Sequence, residues 1–218
     1  MNEQLNEYKN KNIIIKHNTM SSLQQLLDTG KYVTDKGRFA DSKKYFDNSI
    51  VDLHNYIDTY ETIFGNLKES NINFLEIGIC RGGSIKLWRD YFTNANIFGT
   101  DIVFSPSAKE TLKNENVTIL IGDSSDTTSD ILTNHLVNES FDIIIDDGNH
   151  SFEYQLQTLY NFFPKLKKGG IYVIEDIEDR TMKNETMINK FKMFRDFEIV
   201  DLRNIDKRDD SVLFVFRK

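Results

Sequence analysis

The sequence predicts an α/β protein, a parallel β-sheet covered by helices behind a short helical cap. Three observations carry this. Residues 1–70 space their apolar side chains at helical intervals, residues 73–176 alternate short apolar runs with amphipathic stretches, and the two last apolar runs are joined by a short polar connection. At 218 residues the chain has the size of one large domain. It divides into an N-terminal helical cap, residues 1–70, and a larger domain, residues 71–218. The 34 acidic residues outnumber the 27 basic ones, giving a net charge of −7. Nucleic-acid binders need clustered Lys and Arg, so no nucleic-acid partner is expected. No apolar run approaches the ~20 residues of a membrane span, so no membrane partner is expected either. A single cysteine, Cys80, excludes a disulfide framework and a thiolate zinc cluster. The opening MNEQLNEYKNKNIII lacks the charged, apolar, small-residue order of a secretion signal. A cytoplasmic location is expected.

Within the cap, Ser22 is read as capping a helix that runs through Leu27 and stops at Gly30. After the loop TDKGRFADSKK, the apolar residues Phe46, Ile50, Leu53, Ile57, Tyr60, Phe64 and Leu67 step by 4, 3, 4, 3, 4 and 3, one buried helical stripe. Its aromatics are read mainly as core. The runs 73–79, 96–102, 117–123, 141–147 and 170–176 are expected strands, separated by helices over 84–92, 107–113, 126–137, 151–163 and 182–195. Near-continuous apolar strands alternating with helices indicate βαβ units and a parallel sheet covered on both faces. FEIVDLR (197–203) and SVLFVFR (211–217) are linked by NIDKRDD, which leaves no room for a helix, so these strands pair antiparallel. The sum is a Rossmann-like seven-stranded, mostly parallel sheet with a terminal antiparallel hairpin and an N-terminal helical cap.

The chemistry concentrates at the strand ends. The first strand enters the turn Glu76-Ile77-Gly78-Ile79-Cys80-Arg81-Gly82-Gly83-Ser84, where glycines allow close backbone approach and a helix presents its N–H groups. Cys80 breaks the nicotinamide fingerprint G-x-G-x-x-G. Asp101, ending the second strand, can accept both hydroxyls of a ribose. Asp123 and Ser124, ending the third, can meet an adenine edge or cap the next helix. These ends share the rim where open α/β sheets bind ligands.

The fourth strand ends Asp146-Asp147-Gly148-Asn149-His150 and the fifth ends Glu175-Asp176. Adjacent strands lie ~4.8 Å apart, so up to four carboxylates converge. Like charges so close repel, and a hard divalent cation is the natural remedy. A cation-bound hydroxyl loses its proton more easily, and His150, three residues after Asp147, is placed to take it as general base. Asp146 is ambiguous between the cofactor and the back of the metal site. His17, His54 and His135 have no such company, and His54, beside Tyr56, reads as a packed or surface residue, with a place on the substrate side as the alternative.

ExGxxxGGS, the second-strand acid, GDxxD, FDIIIDDGxH and GGIYVIED together resemble class I S-adenosylmethionine-dependent methyltransferases. More narrowly they resemble the metal-dependent sugar O-methyltransferases of the mycinamicin and macrocin type and the related cephalosporin-biosynthesis methyltransferase. The segment TDKG (34–37) with His54, Tyr56, Tyr60 and Glu61 is similar to a TDK…HxYxxxYE segment of such relatives. The resemblance implies S-adenosylmethionine as cofactor, held by Glu76, Gly78, Gly82, Ser84, Asp101, Ile102, Asp123, Ser124 and Asp146. It implies Mg²⁺ on Asp147, Glu175 and Asp176, a sugar or nucleotide-sugar acceptor, and a homo-oligomer. The competing classes are a metal-independent or nitrogen-directed methyltransferase, a nicotinamide oxidoreductase and a catalytically silent binding protein. The absence of an NPPY-type motif and the broken glycine fingerprint weigh against nucleic-acid methylation and the oxidoreductase.

Overall fold

The computed structural model describes residues 21–37 and 54–218; His17, Phe46, Ile50 and Leu53 lie outside the described residues. The described residues form a seven-stranded sheet in the order β3-β2-β1-β4-β5-β7-β6. The strands are β1 (Asn73–Ile77), β2 (Asn96–Asp101), β3 (Val117–Ile121), β4 (Phe141–Asp146), β5 (Leu166–Ile174), β6 (Phe197–Asp201) and β7 (Val212–Arg217). β1 to β5 pair in parallel, and β7 runs antiparallel between β5 and β6, as the terminal hairpin predicts. The order reverses between β1 and β4, which opens a crevice at their C-terminal ends.

The helices are α1 (Ser22–Leu27), α2 (Ile57–Phe64), α3 (Gly83–Tyr91), α4 (Pro106–Thr111), α5 (Phe152–Phe162), α6 (Asp179–Met182), α7 (Glu185–Phe194) and α8 (Arg203–Asp206). Several differ from expectation for local reasons. The helix expected over 126–137 is only a π-type turn at Ile131–His135. Asp126 Oδ1 accepts from the Thr128 N–H and hydroxyl, both at 2.8 Å, and Asp123 Oδ1 does the same for Ser125. Such side-chain turns satisfy the backbone outside a helix. The stretch 182–195 divides because the Asn184 side chain caps α7, accepting from Met187 N at 3.2 Å. The NIDKRDD connection does hold helix, the single turn α8, which is short enough to leave the β6–β7 pairing intact. Ser21 rather than Ser22 caps α1, accepting from Gln24 N at 3.2 Å, whereas Ser22 Oγ donates to Glu61 of α2.

Apolar clusters cover both faces of the sheet. On one, Phe74, Trp88 and Phe92 pack with Leu23, Leu27, Tyr60 and Phe64, so the described part of the cap shares the core of the larger domain. On the other, Phe152, Phe162, Tyr172, Phe191 and Phe214 close the sheet.

Two glycines set the crevice. Gly78 has φ +97°, and a Cβ there would fall 1.9 Å from the Asp147 carbonyl oxygen. A Cβ on Gly83 would fall 1.8 Å from the Val33 carbonyl oxygen, so Gly83 admits the extended cap segment around Val33 over the start of α3. Gly169, at φ +83°, has nothing within 4 Å of the corresponding point. Gly169→Ala should therefore lose only the ~1–2 kcal/mol of left-handed strain. Gly78→Ala should lose clearly more, because the end of β4 must also move. Equal midpoints for the two variants in urea would refute this account.

Candidate active site

The C-terminal ends of β1, β4 and β5 form one acidic cluster, and a lysine from the cap sits inside it. Register brings Ile77, Asp146 and Ile174 level, so the residues that follow leave the sheet side by side. The Lys36 side chain is fully buried, and its Nζ donates to Glu175 Oε1 at 2.6 Å and to Asp147 Oδ2 at 2.7 Å. It also makes a 3.0 Å ion pair with Glu76 Oε1. Burial favours the neutral amine, but the three carboxylates outweigh it and hold Lys36 cationic, well above the ordinary lysine range. For Glu175 burial dominates over the lysine and pushes the carboxyl well above its ordinary range. Burial likewise raises Glu76, countered in part by Lys36.

Lys36 is positioned by backbone pairing between two separated stretches of the cap. His54 N donates to the Asp35 carbonyl at 2.9 Å, and Tyr56 N to that of Lys36 at 3.0 Å. The same pairing delivers further side chains. Tyr60 Oη donates to Glu175 Oε1, and Tyr56 Oη donates to Asp176 Oδ1 at 2.7 Å. His54 stacks on Tyr56 and brings its Nε2 within 3.3 Å of Asp176 Oδ1.

His150 lies at the outer side of the cluster, its Nε2 3.4 Å from Asp147 Oδ1 and its Nδ1 3.5 Å from Asp176 Oδ2. Burial favours the neutral ring, yet the two aspartates prevail and push His150 up to about 9. Burial would also raise Asp147, but Lys36 and His150 hold its carboxyl down at about 2. Asp147, His150 and Asp176 offer ligand atoms within 4.8 Å of one another, as do Glu76, Asp147 and Glu175, the set that surrounds Lys36. Asp176 has φ +55°, a left-handed backbone that few non-glycine residues adopt.

The expected cofactor residues divide. Asp101 Oδ2 accepts from Ile79 N at 2.8 Å and Cys80 N at 3.2 Å, tying the second strand end to the glycine turn. Gly82, with φ +83°, opens α3. Glu76 faces inward, its Oε2 accepting from Ser84 Oγ at 2.9 Å, so these two join the lysine network. Asp123 closes its own turn, Ser124 Oγ bonds Thr158 of α5 at 3.2 Å, and Ile102 is exposed. Burial raises the Cys80 thiol above its ordinary range, despite Arg81.

Residues 75–177 match the family described as "Methyltransferase domain". Demethylmacrocin O-methyltransferase of Streptomyces fradiae is 33% identical over 133 residues, 57% of this chain and 32% of that protein. The 8-demethyl-8-(2-methoxy-alpha-L-rhamnosyl)-tetracenomycin-C 3'-O-methyltransferase of Streptomyces olivaceus is 35% identical over 57% of this chain and 32% of its own length. Among solved structures, MycE methyltransferase of the mycinamycin pathway, in complex with Mg, SAH and mycinamycin VI, superposes with a TM-score of 0.52 at 28% identity. That alignment covers 67% of this chain and 40% of MycE. Over residues 75–177 the chain is similar to class I methyltransferase domains. The chain spans about a third of the length of these curated relatives. The fibrillarin/Nop5p complex, 19% identical with a TM-score of 0.53, shares the fold alone.

The end of β4 also buries Asp146, whose Oδ1 accepts from Gly148 N at 3.3 Å. Burial pushes its carboxyl up to about 7, despite Gly148 and His150. A carboxyl raised by folding lends stability that is intact below the ordinary aspartate range and is lost as pH rises through the folded value. Asp146→Asn keeps an acceptor for Gly148 and removes the charge. Its melting temperature should therefore exceed the parent's by a margin that grows between pH 5 and pH 8. A margin independent of pH would remove the burial explanation.

Proposed function

We propose that this chain is an S-adenosylmethionine-dependent O-methyltransferase acting on a hydroxyl of a sugar or other small polyhydroxyl acceptor. Asp147, Glu175 and Asp176 are its divalent-cation ligands, the cation being Mg²⁺, and His150 is its general base. The observation that carries this reading is the outer half of the cluster, where Asp147 Oδ1 and Asp176 Oδ2 converge on one imidazole beside the glycine turn. The relatives' printed names support the acceptor class, since several are sugar O-methyltransferases. The glycine turn, one strand away, and Asp101, at the end of the next strand, lie on the same rim, which supports a nucleoside cofactor there.

The donor set fits a hard cation. Its atoms are carboxylate oxygens, and Asp147 Oδ1 and Asp176 Oδ2 face the His150 ring. Bound there, a divalent cation would lower the pKa of the acceptor hydroxyl. The residues of the chain do the rest. Asp147 and Asp176 hold His150 protonated, a state in which it cannot accept a proton. Neutralising those aspartates removes the cause of the shift and returns the ring to its basic form. Tyr56 and Tyr60, donating to Asp176 and Glu175, keep these carboxylates from swinging outward. Methyl transfer itself asks for in-line positioning more than covalent chemistry from the protein.

Residues 1–70 act in this reading as a cap that completes the site, and residues 71–218 as the catalytic domain. A homo-oligomer remains part of the proposal. No helix of the described residues is long and apolar enough to cross a membrane.

S-adenosylhomocysteine should raise the melting temperature whereas NAD should not, and at ~100 times its Kd the gain should be ~2.7 kcal/mol. A shift with NAD only would overturn the cofactor. With S-adenosylmethionine and a panel of glycosides, EDTA should abolish turnover and Mg²⁺ restore it. His150→Ala should lower kcat by roughly 10²–10⁴ while leaving S-adenosylhomocysteine binding in place. Full activity in EDTA, or an unaffected His150→Ala, would overturn the mechanism.

A further inference from the structure

We propose that Lys36 is a positioning residue that presets the cation site, fixing one oxygen each of Asp147 and Glu175 so that the other is left for the ion. The inference rests on the reading of Asp147, Glu175 and Asp176 as ligands. Each of the three has one oxygen held by the cap. Lys36 takes Asp147 Oδ2, Lys36 and Tyr60 both take Glu175 Oε1, and Tyr56 takes Asp176 Oδ1. The opposite oxygens of the two aspartates, Oδ1 of Asp147 and Oδ2 of Asp176, are the ones that face His150. The bonds to Glu175 fall on Oε1 and not on Oε2.

The ammonium can serve as a fixed point because it is itself immobilised. Glu76 holds it from the inside at 3.0 Å, and Glu76 is locked in turn by Ser84 at 2.9 Å. The Lys36 backbone is pinned by Tyr56, and the next residue, Gly37, sits so tightly against Leu27 and Ile57 that a Cβ would overlap both. A mobile lysine would merely compete with a metal ion for the same carboxylates. One with no exposed surface and a locked counter-charge instead orients them. Partners that hydrogen-bond a metal's ligands commonly matter 10–100-fold to its affinity.

The test is Mn²⁺ binding to the full chain, by titration calorimetry and by the electron paramagnetic resonance spectrum of the bound ion, without any turnover. Lys36→Met should weaken Mn²⁺ by about 10–100-fold and change the bound-ion spectrum. Tyr60→Phe removes the second donor to Glu175 Oε1 but keeps the ring that stacks on Phe64, and it should weaken Mn²⁺ less, in the same direction. Retained S-adenosylhomocysteine binding shows that a variant is folded. Unchanged or tighter Mn²⁺ in folded Lys36→Met makes the lysine a competitor and overturns the proposal. If that variant does not fold, Tyr60→Phe decides, and unchanged affinity there is equally fatal. A parent protein that binds no Mn²⁺ removes the cation reading together with this one. Binding in the parent with no change in either variant overturns only the role of Lys36.

Discussion

Carboxylates crowded at the ends of neighbouring parallel strands must be neutralised, and that electrostatic constraint shapes the rest of the molecule. Pairing of β4 with β5 sets Asp146 and Asp147 beside Glu175 and Asp176, and β1 adds Glu76 from below. Water is largely excluded, since Glu76, Asp146, Glu175 and Asp176 are all buried. Charge in such a setting has to be met by a partner, or the group takes up a proton. The protein uses both answers. Lys36 meets the inner oxygens and His150 the outer ones, while burial lifts Asp146 and Glu175 toward their protonated forms.

The inner answer dictates how the cap must sit. To bring an ammonium to the strand ends, the stretch around Val33–Lys36 crosses the start of α3, and only a glycine at position 83 gives it room. Tyr32 secures the crossing through a 2.7 Å hydrogen bond to Asp90. Farther out, Glu61 of α2 accepts from Ser22 Oγ and Leu23 N, so one cap helix supplies a carboxylate at the N-terminus of the other. The cap is thus stitched to the domain by polar contacts at the rim and by the shared aromatic cluster of Tyr60, Phe64 and Trp88 beneath.

Where sequence patterns failed, a local competitor explains it. Residues 126–137 have enough apolar side chains for a helix, but Asp123 and Asp126 close Asx turns ahead of it, and Lys165 Nζ binds the carbonyls of Leu132 and Leu136. The aromatic stripe of the cap was legible as core, and Phe64 is core. The hydroxyls of Tyr56 and Tyr60 are different, because helical spacing reports which face is buried and says nothing of what the ring tips touch. His54, read as a packed or surface residue, is packed, but against Asp176 of the cluster.

The succession of strands, the reversed terminal hairpin and the glycine turn follow from the sequence, because each depends on short-range periodicity or on residues a few positions apart, and the meeting of Asp147 and His150 with Glu175 and Asp176 follows once the fourth and fifth strands are taken as neighbours. Lys36 does not follow. A lysine between aspartate and glycine in a polar loop has every local reason to be solvated, and the TDKG motif marked the place without giving it a role. Its burial arises from three carboxylates that lie 40, 111 and 139 residues away along the chain. No local pattern encodes a cost and a compensation so far apart. Only the folded sheet, by bringing those strand ends together, makes a buried ammonium the lower-energy arrangement.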